Sequence, residues 1–115
     1  MTRARLALGA AGEAAAAAWY VRRGYTVVAR NWRCRDGELD LVVRRGRELV
    51  FVEVKARTTD RFGVPAEAVT LRKQRRLRGL AAKYLAEEGG GGAARLRFDV
   101  VAILGGRLDV IEAAF

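Results

Sequence analysis

The chain contains no histidine. Imidazole bases, His-liganded zinc and Ser-His-Asp triads are therefore excluded. Cysteine occurs once, as Cys34, so neither an intrachain disulfide nor a Cys-rich metal site can form. A lone thiol is most simply an ordinary residue of a reducing cytosol. Any bound metal must take carboxylate and backbone oxygens, which selects a hard cation, Mg²⁺ or Mn²⁺. Long apolar runs are missing too. Arg3 to Ala11 begins like an export signal, but Glu13 interrupts it, and no stretch reaches the roughly 18 apolar residues of a spanning helix. We expect a mature, soluble, cytoplasmic protein with no membrane partner. Acidic residues are scarce: 13 against 22 basic, for a formal net charge of +9. So basic a chain commonly meets phosphate, in nucleic acid or at an anionic surface. A solubilising excess, or an acidic protein partner, is the bland alternative.

What is present suits one compact domain, residues 1–115, with enough apolar content (51%) for one core. Arg5 to Arg23 is expected to be a helix, alanine-rich in its middle and stopped by Gly24. Its apolar stripe would be Leu6, Ala10, Ala17 and Tyr20. Tyr25 to Arg30 reads as a strand, and Asn31-Trp32-Arg33-Cys34-Arg35 as the approach to an Asp36-Gly37 turn. Glu38 to Val43 is a second strand, with Leu39, Leu41 and Val43 on one face. Arg44-Arg45-Gly46-Arg47 turns the chain into a third, Leu49 to Lys55. These three would be antiparallel. The only proline, Pro65, would open a second helix running to Glu88. Two more strands follow, Leu96 to Ile103 and Arg107 to Ala113, around a Gly105-Gly106 turn. The fold class is α/β: a helix, a three-strand meander, a helix and two strands, with a mixed central sheet.

Four polar side chains fall where periodicity predicts inward or cleft-facing positions: Glu13, Asp40, Glu53 and Gln74. Lys55 emerges beside Glu53 from an otherwise apolar strand. Burying such groups is costly unless they pair or bind something. Two carboxylates at about 4 Å repel by roughly 4 kcal/mol at an effective dielectric near 20. Three acids and one ammonium leave two negative charges, which one divalent cation would neutralise. The plainer alternatives are a cross-strand ion pair for Glu53 and Lys55, and a stripe-edge Glu paired with Arg for Glu13.

Asp40, twelve intervening residues, then Glu53-Val54-Lys55 resembles the D…ExK signature of the PD-(D/E)XK nuclease superfamily. Leu39 stands where the superfamily name has Pro, a variable position in such folds. Gly12-Glu13, Gly24-Tyr25, Arg30-Asn31, Gly37 to Leu41, Phe51 to Arg57, Phe62-Gly63, Glu67 to Val69, Lys73-Gln74 and Phe98 to Val101 make the chain similar to the YraN family of bacterial endonuclease-like proteins. Archaeal Holliday-junction resolvases are more distant relatives of that group. The resemblance implies a restriction-endonuclease-like core and Mg²⁺- or Mn²⁺-dependent hydrolysis of DNA phosphodiester bonds, on branched DNA and in repair or recombination. It implies metal ligation by Asp40, Glu53 and Glu13, orientation of water by Lys55, and positioning of water or phosphate by Gln74. A resolvase-like role further implies a homodimer.

Arg72, Lys73, Arg75, Arg76 and Arg78, on one helix, are candidates for phosphate-backbone contacts, although half of such a run can be a solvated face. Trp32 and Arg33 could stack on an unpaired base. Trp19 and Tyr20 read as core. Asp99 fits a structural hydrogen bond better than catalysis. Two further readings stay open: a nucleic-acid-binding module of the same fold without turnover, and a basic accessory protein that binds its partner independently of Mg²⁺ and Asp40.

Overall fold

Thr26, Val27 and Val28 begin the sheet because β-branched side chains fit a pleated surface. The computed structural model of the protein describes residues 3–57 and 69–115. Its elements in chain order are α1 (Arg3–Arg22), β1 (Thr26–Cys34), β2 (Gly37–Arg45), β3 (Glu48–Arg57), α2 (Leu71–Glu88), β4 (Arg95–Leu104) and β5 (Arg107–Ile111). The fold is mixed α/β. Five strands lie in the order β1-β2-β3-β4-β5. The pairings β1–β2, β2–β3 and β4–β5 are antiparallel. β3 and β4 are parallel from Glu48↔Arg95 to Arg57↔Leu104. A parallel pair needs a crossover, and α2 lies within it. The expectations placed on Phe62-Gly63, on Pro65 as a helix start and on Glu67-Ala68 lie outside the described residues.

One helix covers each face of the sheet. Ala16, Ala17 and Tyr20 of α1 pack with Leu41, Val43, Val50, Val52, Val101 and Ile103. Leu77, Leu80, Ala81 and Tyr84 of α2 pack on the other face with Val42, Leu49, Phe51 and Phe98. The expected stripe on α1 needs correction. Its buried residues include Gly12, Ala16, Ala17 and Tyr20, whereas Ala10 is exposed. Gly12 lets the helix approach closely: a Cβ there would lie 3.0 Å from the Ala56 Cβ and 3.4 Å from the Ile103 Cδ1. Gly12→Val is therefore expected to destabilise by about 1–3 kcal/mol through overpacking. Chemical denaturation with an unchanged midpoint would disprove that close contact.

Several boundaries depart from expectation. β2 runs on through Arg45, paired as Arg44↔Leu49 and Arg45↔Glu48, so the turn expected over Arg44 to Arg47 is Gly46-Arg47 alone, and β3 runs on to Arg57. β1 continues to Cys34, because Trp32 and Cys34 turn inward against the α2 cluster while Asn31 and Arg33 stay outside. α2 begins only at Leu71, because the Thr70 hydroxyl accepts a hydrogen bond from Lys73 N at 3.2 Å and caps it. β5 stops at Ile111, where the chain turns so that Ala113 N and Ala114 N bond to Asp99 and Phe98.

The face assignment of β2 also changes. Val28 is an extra residue between the pairs Val27↔Val43 and Ala29↔Val42, and Asn31 has φ 49°. Asn tolerates that left-handed conformation better than most residues. Pairing of β2 with β3 runs only from Arg45↔Glu48 to Leu41↔Val52. Leu39 consequently joins Val42 on the α2 side, while Leu41 and Val43 face α1.

Among the described residues, Asp99 is the one buried charged side chain, at 1% exposure. Arg97 grips it with two bonds, Nε to Oδ1 and Nη2 to Oδ2, both 2.8 Å. The Tyr20 hydroxyl donates to Oδ2 at 2.7 Å, and Ala113 N donates to Oδ1 at 3.0 Å. Arg97 also donates to Glu48 Oε1 at 2.8 Å and to the Tyr25 hydroxyl at 3.1 Å. Burial, and then the bond to Asp99, push the Tyr20 hydroxyl well above its ordinary titration range. Asp99 thus has the structural role expected of it, and Tyr20 is core.

Candidate functional site

Asp40 sits where β2 leaves β3. Its Oδ2 accepts the Val54 backbone N–H at 2.9 Å, so the side chain replaces a ladder bond that the diverging strand no longer supplies. Glu13 on α1, Arg30 and Asn31 on β1, and Asp40 and Leu41 on β2 line a cleft of about 170 Å³. Burial, and then the charge of Glu53, push the Asp40 carboxyl up to about 7; Glu13 and Glu38 add to this, and the Val54 N–H opposes it. Asp40 therefore feels both of the other candidate acids.

Glu53 emerges from β3 with its side chain 12% exposed. Its Oε1 lies 3.3 Å from the Lys55 Nζ and 3.1 Å from the Lys73 Nζ. Two ammonium groups on one oxygen repel each other. Burial, and then Lys55, lower the affinity of Lys73 for its proton, against the pull of Glu53. Glu13, Asp40, Glu53 and Lys55 thus gather at one end of the sheet. Among the described residues no three acid, His or Cys side chains close into a ready metal cage. Glu53 is held by lysines in this arrangement.

The remaining candidates fall in different places. Gln74 donates its amide to the Val69 carbonyl at 3.1 Å and so secures the start of α2. Its neighbour Lys73, expected on the phosphate-binding face, instead reaches Glu53. Arg33 pairs with Glu38 across the β1–β2 hairpin at 3.0 Å. The Arg78 guanidinium lies over the rings of Phe98 and Phe115, 4.9 and 5.4 Å from their centroids. Arg72, Arg75 and Arg76 are exposed on α2 and make no ion pair among the described residues. Trp32 is not offered for stacking. It packs edge-on against Tyr84 at 5.4 Å and donates to Glu88 at 3.2 Å.

Sequence reasoning missed Lys73, Arg30 and Asn31 as neighbours of the acids. A cation in mid-strand, followed by a residue able to adopt positive φ, is the signal that Arg30-Asn31 carried.

The model of UPF0102, described as an uncharacterised protein family, matches residues 12–103. The chain belongs to this family. The matched span contains Glu13, Asp40, Glu53, Lys55, Lys73 and Asp99. A UPF0102 protein of Beutenbergia cavernae is 57% identical over 102 residues, covering 89% of this chain and 86% of that protein. One from Mycolicibacterium vanbaalenii is 52% identical over 111 residues, covering 96% and 91%. One from Moorella thermoacetica is 46% identical over 121 residues, with both chains covered in full. The family span therefore includes both the acid cluster and the Asp99 network. Among the described residues no helix is long and apolar enough to cross a membrane.

Proposed function

We propose that this protein is a Mg²⁺- or Mn²⁺-dependent endonuclease with a restriction-endonuclease-like core, and that it hydrolyses phosphodiester bonds in DNA, branched DNA in particular. The observation that carries the reading is the cleft where Glu13 and Asp40 meet, with Glu53 near enough to repel the Asp40 carboxylate. Such a donor set offers only hard oxygens, and its repulsion is what a divalent cation relieves. Asp40, Glu53 and the Val54 carbonyl would hold the ion, with Glu13 as a further ligand. When bound, the cation supplies Lewis-acid polarisation of the phosphate and a more acidic water.

The chain's own groups do the rest. The Val54 N–H fixes one Asp40 oxygen, which orients that carboxylate. Lys55 would orient the attacking water and offset the charge that builds on the phosphoryl oxygens. Lys73, beside Glu53, would meet the phosphate in the part that the resemblance gives to Gln74. The exposed arginines of α2 would hold the DNA backbone.

The grip of Lys55 and Lys73 on Glu53 favours a second reading, a module that binds nucleic acid and has no turnover. Cleavage of a labelled four-way junction, flap, single strand and linear duplex separates the two. The reactions are run in Mg²⁺, Mn²⁺ or EDTA, beside Asp40→Ala and Lys55→Ala. We expect metal-dependent cuts that fall at least about 10²-fold in both variants. Tight binding without cutting, unchanged in Asp40→Ala, would leave only the module.

A further inference from the structure

Arg44 and Arg45 at the end of β2 and the Gly46-Arg47 turn that follows take no part in the acid cluster, and they lie at the opposite end of β2 and β3. These arginines meet those of two other segments there. Arg45 donates to the Arg23 carbonyl at 3.1 Å and lies over the Tyr25 ring at 4.3 Å. The Arg23 guanidinium lies over the Trp19 ring at 3.7 Å and donates to the Trp19 carbonyl. Arg44 donates to the carbonyls of Gly46 and Gly90. Arg47 donates to the Gly92 carbonyl at 3.4 Å, and its own carbonyl accepts from Ala94 N and Arg95 N. Arg23, Arg44, Arg45, Arg47 and Arg95 therefore form one pole of the molecule.

Carbonyls and rings hold Arg23, Arg44, Arg45 and Arg47 in place without cancelling their charge, and Arg95 joins them through its backbone bond to the Arg47 carbonyl. Carbonyls and aromatic rings orient a guanidinium but leave its unit charge intact. Among the described residues the one carboxylate paired at this pole is Glu48, whose Oε1 lies 2.8 Å from Arg97 and whose Oε2 lies 3.8 Å from Arg95, so one acid is shared between two guanidiniums. All of these arginines but Arg44 are exposed.

We infer that this arginine pole is a second binding surface for nucleic-acid phosphates, separate from the acid cluster and from the exposed face of α2. The inference rests on the nucleic-acid part of the function proposed above. Guanidiniums held at fixed positions suit a stiff polymer with regularly spaced phosphates, which they can grip through paired donors. A fluid anionic leaflet gains little from such placement. Arg45 lies five residues along β2 from Asp40, about 17 Å at roughly 3.4 Å per residue. That distance corresponds to about five base pairs of duplex at ~3.4 Å each. A duplex arm gripped at this pole would therefore lie about half a helical turn from the acid cluster, so that the two ends of the sheet hold different parts of one substrate.

The test is binding of a labelled linear duplex in EDTA over a KCl series, which needs neither metal nor cleavage. The variant is Arg23→Gln/Arg47→Gln/Arg95→Gln, and Arg107→Gln, away from the pole, is the comparison. We expect the triple variant to lose about 2–3 from the magnitude of the salt slope, near 0.9 for each phosphate contact removed. Its Kd rises about tenfold or more, its melting temperature stays close to that of the parent, and Arg107→Gln has little effect. A slope no smaller than that of Arg107→Gln overturns the inference while leaving the proposed function standing. Binding lost on anionic phospholipid vesicles but kept on duplex also overturns it, and assigns the pole to membranes. A parent protein that binds no duplex overturns the nucleic-acid reading of both surfaces.

Discussion

Asp99→Ala is expected to destabilise the protein by about 3–5 kcal/mol, the effect of removing one partner of a buried ion pair. For a chain of this size that is a fall in Tm of roughly 12–20 °C. The reason is what the substitution strands. Arg97, with its side chain 15% exposed, loses two charge-assisted bonds, and the fully buried Tyr20 hydroxyl loses its acceptor. Ala113 N loses its acceptor as well, so the chain after β5 keeps only the Ala114 N bond to the Phe98 carbonyl and the stacking of Phe115 on Phe98. Removing both charges should be milder. Asp99→Leu/Arg97→Met leaves neither member of that pair unpartnered, and apolar replacement of a buried pair is often close to neutral, although Tyr20 still loses its acceptor and Glu48 keeps only Arg95 at 3.8 Å. Chemical denaturation of Asp99→Ala, and a double-mutant cycle through Asp99→Leu, Arg97→Met and their combination, check both expectations. If Asp99→Ala loses less than about 1 kcal/mol, or the double variant is worse than the sum of the singles, the network does not hold α1, β4 and the C-terminal turn together.

The elements of this fold were legible where a single period ran unbroken. Val50, Val52 and Val54 alternate with Leu49, Phe51 and Glu53, and β3 has that alternation. Leu77, Leu80, Ala81 and Tyr84 mark the buried face of α2 as the helical period requires. Legibility failed where geometry broke the period. The extra residue at Val28 and the positive φ of Asn31 bend the β1–β2 hairpin, so Leu39 lands on the face opposite Leu41. Nothing in the local sequence of Leu39 records that bend. On α2 the side chain that reaches Glu53 is one residue from Gln74: Lys73 and Gln74 are 100° apart around the helix, and a long Lys side chain can reach Glu53 from a flank. Charge and apolar content alone could not choose between them. The network around Asp99 was legible only as a fitting place for a structural hydrogen bond. Its partners Tyr20 and Asp99 are 79 residues apart, and only the packing of α1 on the sheet brings them together.

Asp40→Asn is expected to stabilise the metal-free fold at pH 8 while sharply lowering the cleavage proposed above, and the two effects have one origin. Folding raises the Asp40 carboxyl from its ordinary 3.8 to about 7. A raised value means that the contribution of this group to stability is fully present below about 3.8 and is lost as pH climbs through 7. At pH 8 the folded protein therefore holds a carboxylate that its surroundings disfavour. Asn has nearly the same shape, still accepts the Val54 N–H through its amide oxygen, and carries no charge. A difference of about three pKa units sets a ceiling of about 4 kcal/mol, and a gain on the order of 1–3 kcal/mol is expected because Glu53 and Glu13 share the repulsion. The variant should also lack the fall in stability between about pH 4 and 7 that Asp40 is expected to give the parent. Mg²⁺ or Mn²⁺ should act on the parent in the same direction, raising its Tm more at pH 8 than at pH 5.5, because ligand carboxylates must be ionised to bind. The variant should show no such rise, and cleavage should fall at least about 10²-fold. Melting curves at both pH values, with and without metal, decide the matter. A variant less stable than the parent at pH 8 would make Asp40 a structural brace whose charge helps the fold. A stabilised variant, with a parent indifferent to metal, would show that the acids repel but that Lys55 and Lys73 already meet their need for a cation, which is the condition of a binding module and not of a metal-dependent nuclease.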